Sequence, residues 1–156
     1  MVILIRLFLF LPWIMLKFLP IESKKRFIPV TIFSTFFTFV VVFIGIQYNF
    51  WKIKGSKKTL SWNILSIILG FFPIGNFIVF HLFYGKFKRY LLGNFIMNIL
   101  YAQVILPIFK KLNFLVYDKY NKIHHMLVTM TIAVIVYRYQ MFLDNNNFMN
   151  KKKLVK

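Results

Sequence analysis

Asp118, His124 and His125 are the acid and imidazole groups that stand closest together in this chain, so proton transfer or metal binding would have to be built there. Adjacent histidines on a helix point about 100° apart, and both rings rarely reach one ion. The cluster therefore reads as a hydrogen-bonded turn at the membrane interface rather than as a metal or acid–base site. The other acids are Glu22 and Asp144, both far from Asp118 in sequence, whereas enzymes that act on phosphate-bearing lipids commonly gather several acids around a metal. There is no Gly-rich phosphate loop, no Gly-x-Ser-x-Gly elbow and no His-Glu-x-x-His. Cysteine is absent, which excludes disulfides and thiolate metal sites. The sequence thus predicts no enzyme, no cofactor and no metal.

The remaining polar groups of interest lie within apolar stretches, where each must find a partner. His81 is read as an inward-turned, hydrogen-bonded interface residue, ahead of a proton carrier. Asn94, Asn98 and Tyr101 share one helix face with Gln103 opposite, and amides in hydrocarbon point to interhelical bonding ahead of substrate contact. Arg138 is predicted to snorkel to the headgroups, with an ion pair second and a functional anion site third. If Arg138 is paired, Glu22 is the better partner, because Asp144 points about 120° away from it on the same helix. Thr31, Ser34, Thr35 and Thr38, continued by Val42 and Gly45, form a stripe of small and weakly polar residues. Such a stripe is a helix-packing face ahead of a polar pathway.

These residues must be carried by helices in a bilayer. Of 156 residues 60% are hydrophobic and the mean hydropathy is +0.69, too apolar for a soluble domain. The expected architecture is a single all-α membrane domain over residues 1–156, with about five spans near 2–21, 27–50, 60–84, 90–109 and 123–143 and a basic, mobile tail at 144–156. The first is the weakest, since Arg6, Pro12 and Lys17 interrupt it, and the alternative is four spans plus an N-terminal interfacial helix. No Ala-x-Ala-like site follows it, so it is read as an uncleaved anchor. The bundle is centred on the 27 uncharged residues between Lys58 and Lys86. As one helix they would measure about 40 Å against a hydrocarbon core of about 30 Å. Gly70, Pro73 and Gly75 mark where that helix breaks, and spans two and four are expected to pack against the kink.

Twenty-one Lys and Arg against three acids give a net charge of +18. These cations sit in short loops between apolar spans, where anionic lipid headgroups are the nearest counter-charge and nucleic acid is not expected. The cluster Lys24, Lys25, Arg26 after the first span outweighs Arg6 before it, which places the N-terminus outside and the tail in the cytoplasm. The excess of Phe, Ile, Lys, Asn and Tyr fits an AT-rich bacterial coding sequence.

The basic loop running from Lys24 to Pro29, the proline at 73 and the aromatic connection from Tyr120 to His125 follow an order that resembles a family of small, basic, multi-span membrane proteins from spore-forming Firmicutes. That family's function is unassigned, and where it leads one to expect Tyr-His-Ser this chain has Ile123, His124, His125. The resemblance implies a multi-pass protein of the bacterial cell membrane and carries over no functional residue. The expected function is that of a non-enzymatic module acting through anionic lipid, a second copy or another membrane protein. A small oligomeric transporter or channel is the alternative.

Overall fold

The computed structural model describes the backbone of residues 2–53, 55 and 57–154 and the side chains of residues 5–53 and 59–146. The chain is an all-α helical bundle. Four stretches, Ile21–Gln47, Thr59–Phe83, Phe87–Lys111 and Lys122–Asn146, are each long and apolar enough to cross a membrane. Their outward faces remain apolar, with Ile32, Phe36, Phe39 and Phe43 along α3 (Ile21–Gln47) all exposed. A soluble protein would not present such a face, so this is a multi-pass membrane protein.

The first predicted span is broken into α1 (Val2–Phe10), a 3-10 turn (Leu11–Ile14) and α2 (Met15–Phe18), after which Leu19 is extended and Pro20 opens α3. Pro12, near the start of that turn, has no N–H to give the Phe8 carbonyl, and the helix tightens there. Residues 2–18 supply only about 26 Å of rise, short of the hydrocarbon thickness. One side of the segment packs along the central pass, with Ile5 and Leu9 buried in the core, while Leu7, Phe8, Leu11 and Ile14 on its other side are exposed.

That central pass consists of α4 (Lys57–Leu69) and α5 (Phe71–Phe83), divided at Gly70, whose ψ of −107° lies far from helical. A Cβ at Gly70 would collide with the Ser66 carbonyl oxygen and stand 2.9 Å from Leu9 Cβ, so no larger residue fits. The break is therefore held against the N-terminal segment. Spans two and four do pack against the kink: Asn76 bonds Ser34 of α3, and Met97 Cε of the next pass lies 3.1 Å from the would-be Cβ of Gly75, while Gly70 itself meets the N-terminal segment. Pro73 lies in the first turn of α5, where its missing N–H breaks no bond within α5.

The next pass runs through α6 (Phe87–Leu100), a π-helical turn (Tyr101–Ile105) and α7 (Leu106–Lys111). Pro107 cannot bond the Gln103 carbonyl, and the wider turn just before it absorbs the mismatch. The last helix, α8 (Lys122–Leu154), continues well past the predicted span. The tail at 144–156 was expected to be mobile; its backbone is helical as far as Leu154, and its lysine side chains lie outside the described residues.

Sequence patterning also missed a small ribbon in which β1 (Trp51–Ile53) pairs antiparallel with β2 (Leu115–Tyr117), Trp51 opposite Tyr117 and Ile53 opposite Leu115. The amides of Asp118 and Tyr120 both bond the Phe50 carbonyl, and Lys52 meets Asp118 at 2.7 Å. The ribbon ties the connection after α3 to the connection after α7 on one surface of the bundle. Two apolar clusters fill the interior. One, under the ribbon, includes Trp51, Ile67, Tyr101, Phe109 and Phe114; the other, towards the opposite end, includes Phe27, Phe77, Phe80, Tyr90 and Tyr137.

Candidate functional site

Between the two clusters lies a cavity of about 140 Å³, walled by α3, α5, α6 and α8 and closed towards the ribbon by Trp51, Tyr117 and Tyr120. Its walls are made by the stripes read from the sequence. On α3, Thr31, Thr35 and Thr38 give their hydroxyls to the carbonyls four residues earlier at 2.7 to 3.1 Å, which lets polar side chains sit in a membrane helix without a partner helix. Buried Ser34 donates to the Thr31 carbonyl at 2.9 Å and also accepts a 2.8 Å hydrogen bond from Asn76 Nδ2 of α5. Ser34, Thr38 and Val42 face the cavity, whereas Gly45 packs under the Trp51 indole, so the one stripe serves partly as wall and partly as packing face.

On α6, Asn94 and Asn98 also face the cavity. The interhelical bonding expected of them is largely absent. Asn94 Nδ2 donates to the Tyr90 carbonyl at 3.0 Å and Asn98 Nδ2 to the Asn94 carbonyl at 2.9 Å, within their own helix. Among the described residues, their hydrogen bond across to α8 is from Asn98 to the Met130 sulfur at 3.9 Å. The amides turn back because open space lies where a partner helix would have to be. Gln103, on the opposite face, accepts from Lys122 Nζ at 2.9 Å.

His125 is the imidazole of this site. It is 7% exposed, its ring stacks on Tyr101 with centroids 4.7 Å apart, and its Nδ1 is 3.1 Å from the Tyr117 hydroxyl. Its Nε2 has no hydrogen-bond partner among the described residues. His124, the next residue, is exposed and stacks on Tyr120 at 5.7 Å, so the adjacent histidines do diverge. Asp118 is drawn to Lys52 rather than to either imidazole. Its carboxyl is held below the usual range, first by the hydrogen bond from Lys52 and then by that residue's charge. Burial pushes the Tyr117 hydroxyl up and that of Tyr120 up to about 12. Among the described residues no three metal-ligating side chains converge.

The other predicted positions lie away from the cavity. His81 is half-buried near the end of α5, with Nδ1 3.0 Å from Ser23 Oγ of α3. Arg138 and Glu22 are both exposed, and among the described residues neither enters an ion pair. The tie proposed between them is made instead by Arg26, whose Nη2 meets Asp144 Oδ2 at 2.8 Å and which lies over the Tyr84 ring at 4.8 Å. The reason is facial: Asp144 shares an edge of α8 with Gln140, which bonds it at 3.0 Å, while Arg138 points outwards.

Sequence reasoning overlooked Asn76 and the pairing of Arg6 with Asn63, whose Oδ1 accepts from Nε at 3.0 Å and Nη2 at 2.8 Å. An amide one residue after the Gly70 to Gly75 break was the available signal for Asn76. Arg6 offered only its position in an apolar stretch, which by itself calls for a polar partner. Comparison with protein-family models, curated proteins and solved structures gave no match.

Proposed function

We propose that the protein is a non-enzymatic module of the bacterial cell membrane that works by gathering anionic lipid at its rims. The observation that carries this reading is the excess of positive charge. The net charge is +18, and two of the three acids, Asp118 and Asp144, are already paired with Lys52 and Arg26. The remaining cations need counter-charge from outside the chain. Lys24, Lys25, Lys86, Lys88 and Arg89 ring one end of the helices, and Lys110, Lys111, Lys119 and Lys122 the other. Each cation near an anionic surface contributes about 1 kcal/mol. The resemblance noted from the sequence supports a bacterial membrane, and the charge cluster after the first segment supports an external N-terminus with a cytoplasmic tail.

Thermal unfolding in nanodiscs tests the lipid reading. Stability should be higher in phosphatidylglycerol than in phosphatidylcholine discs, and the difference should shrink as salt screens the rims. Equal stability in both, at every salt concentration, would overturn it. A transporter or channel has less support, because the cavity's wall at Val79, Ala133 and Val136 belongs to the apolar cluster that includes Phe77, Phe80 and Tyr90, all three at most 1% exposed.

A further inference from the structure

The cavity has a property that a lipid-gathering role does not use: none of its lining residues is Lys, Arg, Asp or Glu, although the chain has 21 Lys and Arg. Whatever fits there carries no net charge, so an anionic headgroup does not belong in it. Volume narrows the choice, since a cavity of about 150 Å³ holds one benzene-sized ring, and this one measures about 140 Å³. Phe72, Tyr101 and Val79 give it apolar and aromatic walls suited to such a ring.

His125 adds a chemical requirement. Its Nδ1 is occupied by Tyr117, stacking on Tyr101 fixes its plane, and its Nε2 is left without a partner in a residue more than nine-tenths buried. Buried polar atoms are almost always satisfied, and although this nitrogen is itself sealed from water it belongs to a residue of the cavity wall, so it marks where a ligand's polar atom is missing once the wall yields to the ring. A hydroxyl answers either tautomer, accepting from Nε2 when that nitrogen is protonated and donating to it when it is not. We propose that the cavity binds an uncharged aromatic ring bearing a hydroxyl group, the chemistry of a phenol or a quinol headgroup, with that hydroxyl on His125 Nε2. Molecules of this class partition into bilayers, the phase that surrounds these helices.

The test is fluorine NMR of the intact protein in nanodiscs, with empty discs as the measure of simple partitioning. Three probes are compared: 4-fluorophenol, fluorobenzene, which lacks the hydroxyl, and 4-fluorobenzoate, which carries a charge. Expected is saturable binding of 4-fluorophenol, about fivefold tighter than fluorobenzene as one net hydrogen bond gives, and no saturable binding of 4-fluorobenzoate. His125→Leu should abolish the preference for the phenol while keeping fluorobenzene binding. Val128→Phe, which fills the wall beside His125 and leaves the imidazole in place, should abolish binding of both. Signals equal to those of empty discs, a phenol preference that survives His125→Leu, or unchanged phenol binding in Val128→Phe would each overturn the proposal.

Discussion

The indole N–H of Trp13 donates to the carbonyl oxygen of Leu69 at 2.8 Å, linking the N-terminal segment to the break in the central pass. Leu69 lies four residues before Pro73, so this is the carbonyl that a helix would have bonded to the N–H that proline lacks. At membrane depth no bulk water can replace that donor, and the tryptophan does so.

Trp13→Phe should therefore destabilise the protein by about 1 to 3 kcal/mol, the usual consequence of leaving an acceptor without a donor away from water. Pro73→Ala restores a backbone donor four residues after Leu69 and should be tolerated. The tryptophan substitution should then be milder in the Pro73→Ala background, and simple additivity in thermal unfolding would show that the two sites are uncoupled.

Gly70→Leu should lower folded yield severely, because even a Cβ meets the Ser66 carbonyl and Leu9. Leu9→Ala keeps both the Cβ and the carbonyl oxygen that the added atom would meet, so it should rescue neither Gly70→Ala nor Gly70→Leu. Size-exclusion profiles of fluorescent fusions give the readout. Normal profiles for Gly70→Leu would mean that the N-terminal segment does not pack there.

That the central pass breaks at Gly70 was legible in the sequence, because glycine and proline act through the backbone and need no knowledge of neighbours. What packs against Gly70 itself was not legible. Leu9 and Trp13 lie about 60 residues away in sequence, and the periodicity of one helix carries no information about which other helix it meets. The same limit explains Asn94 and Asn98: their shared face was read correctly, but a cavity and a helix neighbour leave the same pattern of small and polar residues. The ribbon escaped notice because strands of three residues are too short for alternation to register.

Arg26→Gln and Asp144→Asn should each reduce stability slightly, and the double substitution should lose less than their sum. The pair is partly exposed, with side chains 52% and 26% accessible, so coupling of no more than about 1 kcal/mol is expected. Arg138→Gln and Glu22→Gln should show no coupling at all. Measurable coupling in that second cycle would restore the pair read from sequence.

Acid should act on the ribbon through Asp118. Its folded-state value lies below that of the unfolded chain, so its contribution is complete above about pH 4 and is lost as pH falls through the lower folded value. The side-chain carboxyl carbon followed by NMR should titrate below the ordinary aspartate range and return to it in Lys52→Gln. An ordinary midpoint in the unsubstituted protein would mean that the 2.7 Å contact with Lys52 does not persist in solution.

The pairing of Trp51 with Tyr117 has a consequence for synthesis. The two strands are separated by both the central pass and the pass that follows it, so the second strand is made only after two crossings have been threaded. Domains assemble in the order in which they leave the ribosome, and distant pairings come last. The ribbon can close only if both crossings have gone the right way, because one inverted pass would strand Tyr117 on the far surface. In a chain whose cations are spread over both surfaces, charge gives the insertion machinery a weak instruction. The six residues of the two strands can therefore pair only in copies whose two intervening crossings bring Trp51 and Tyr117 to the same surface.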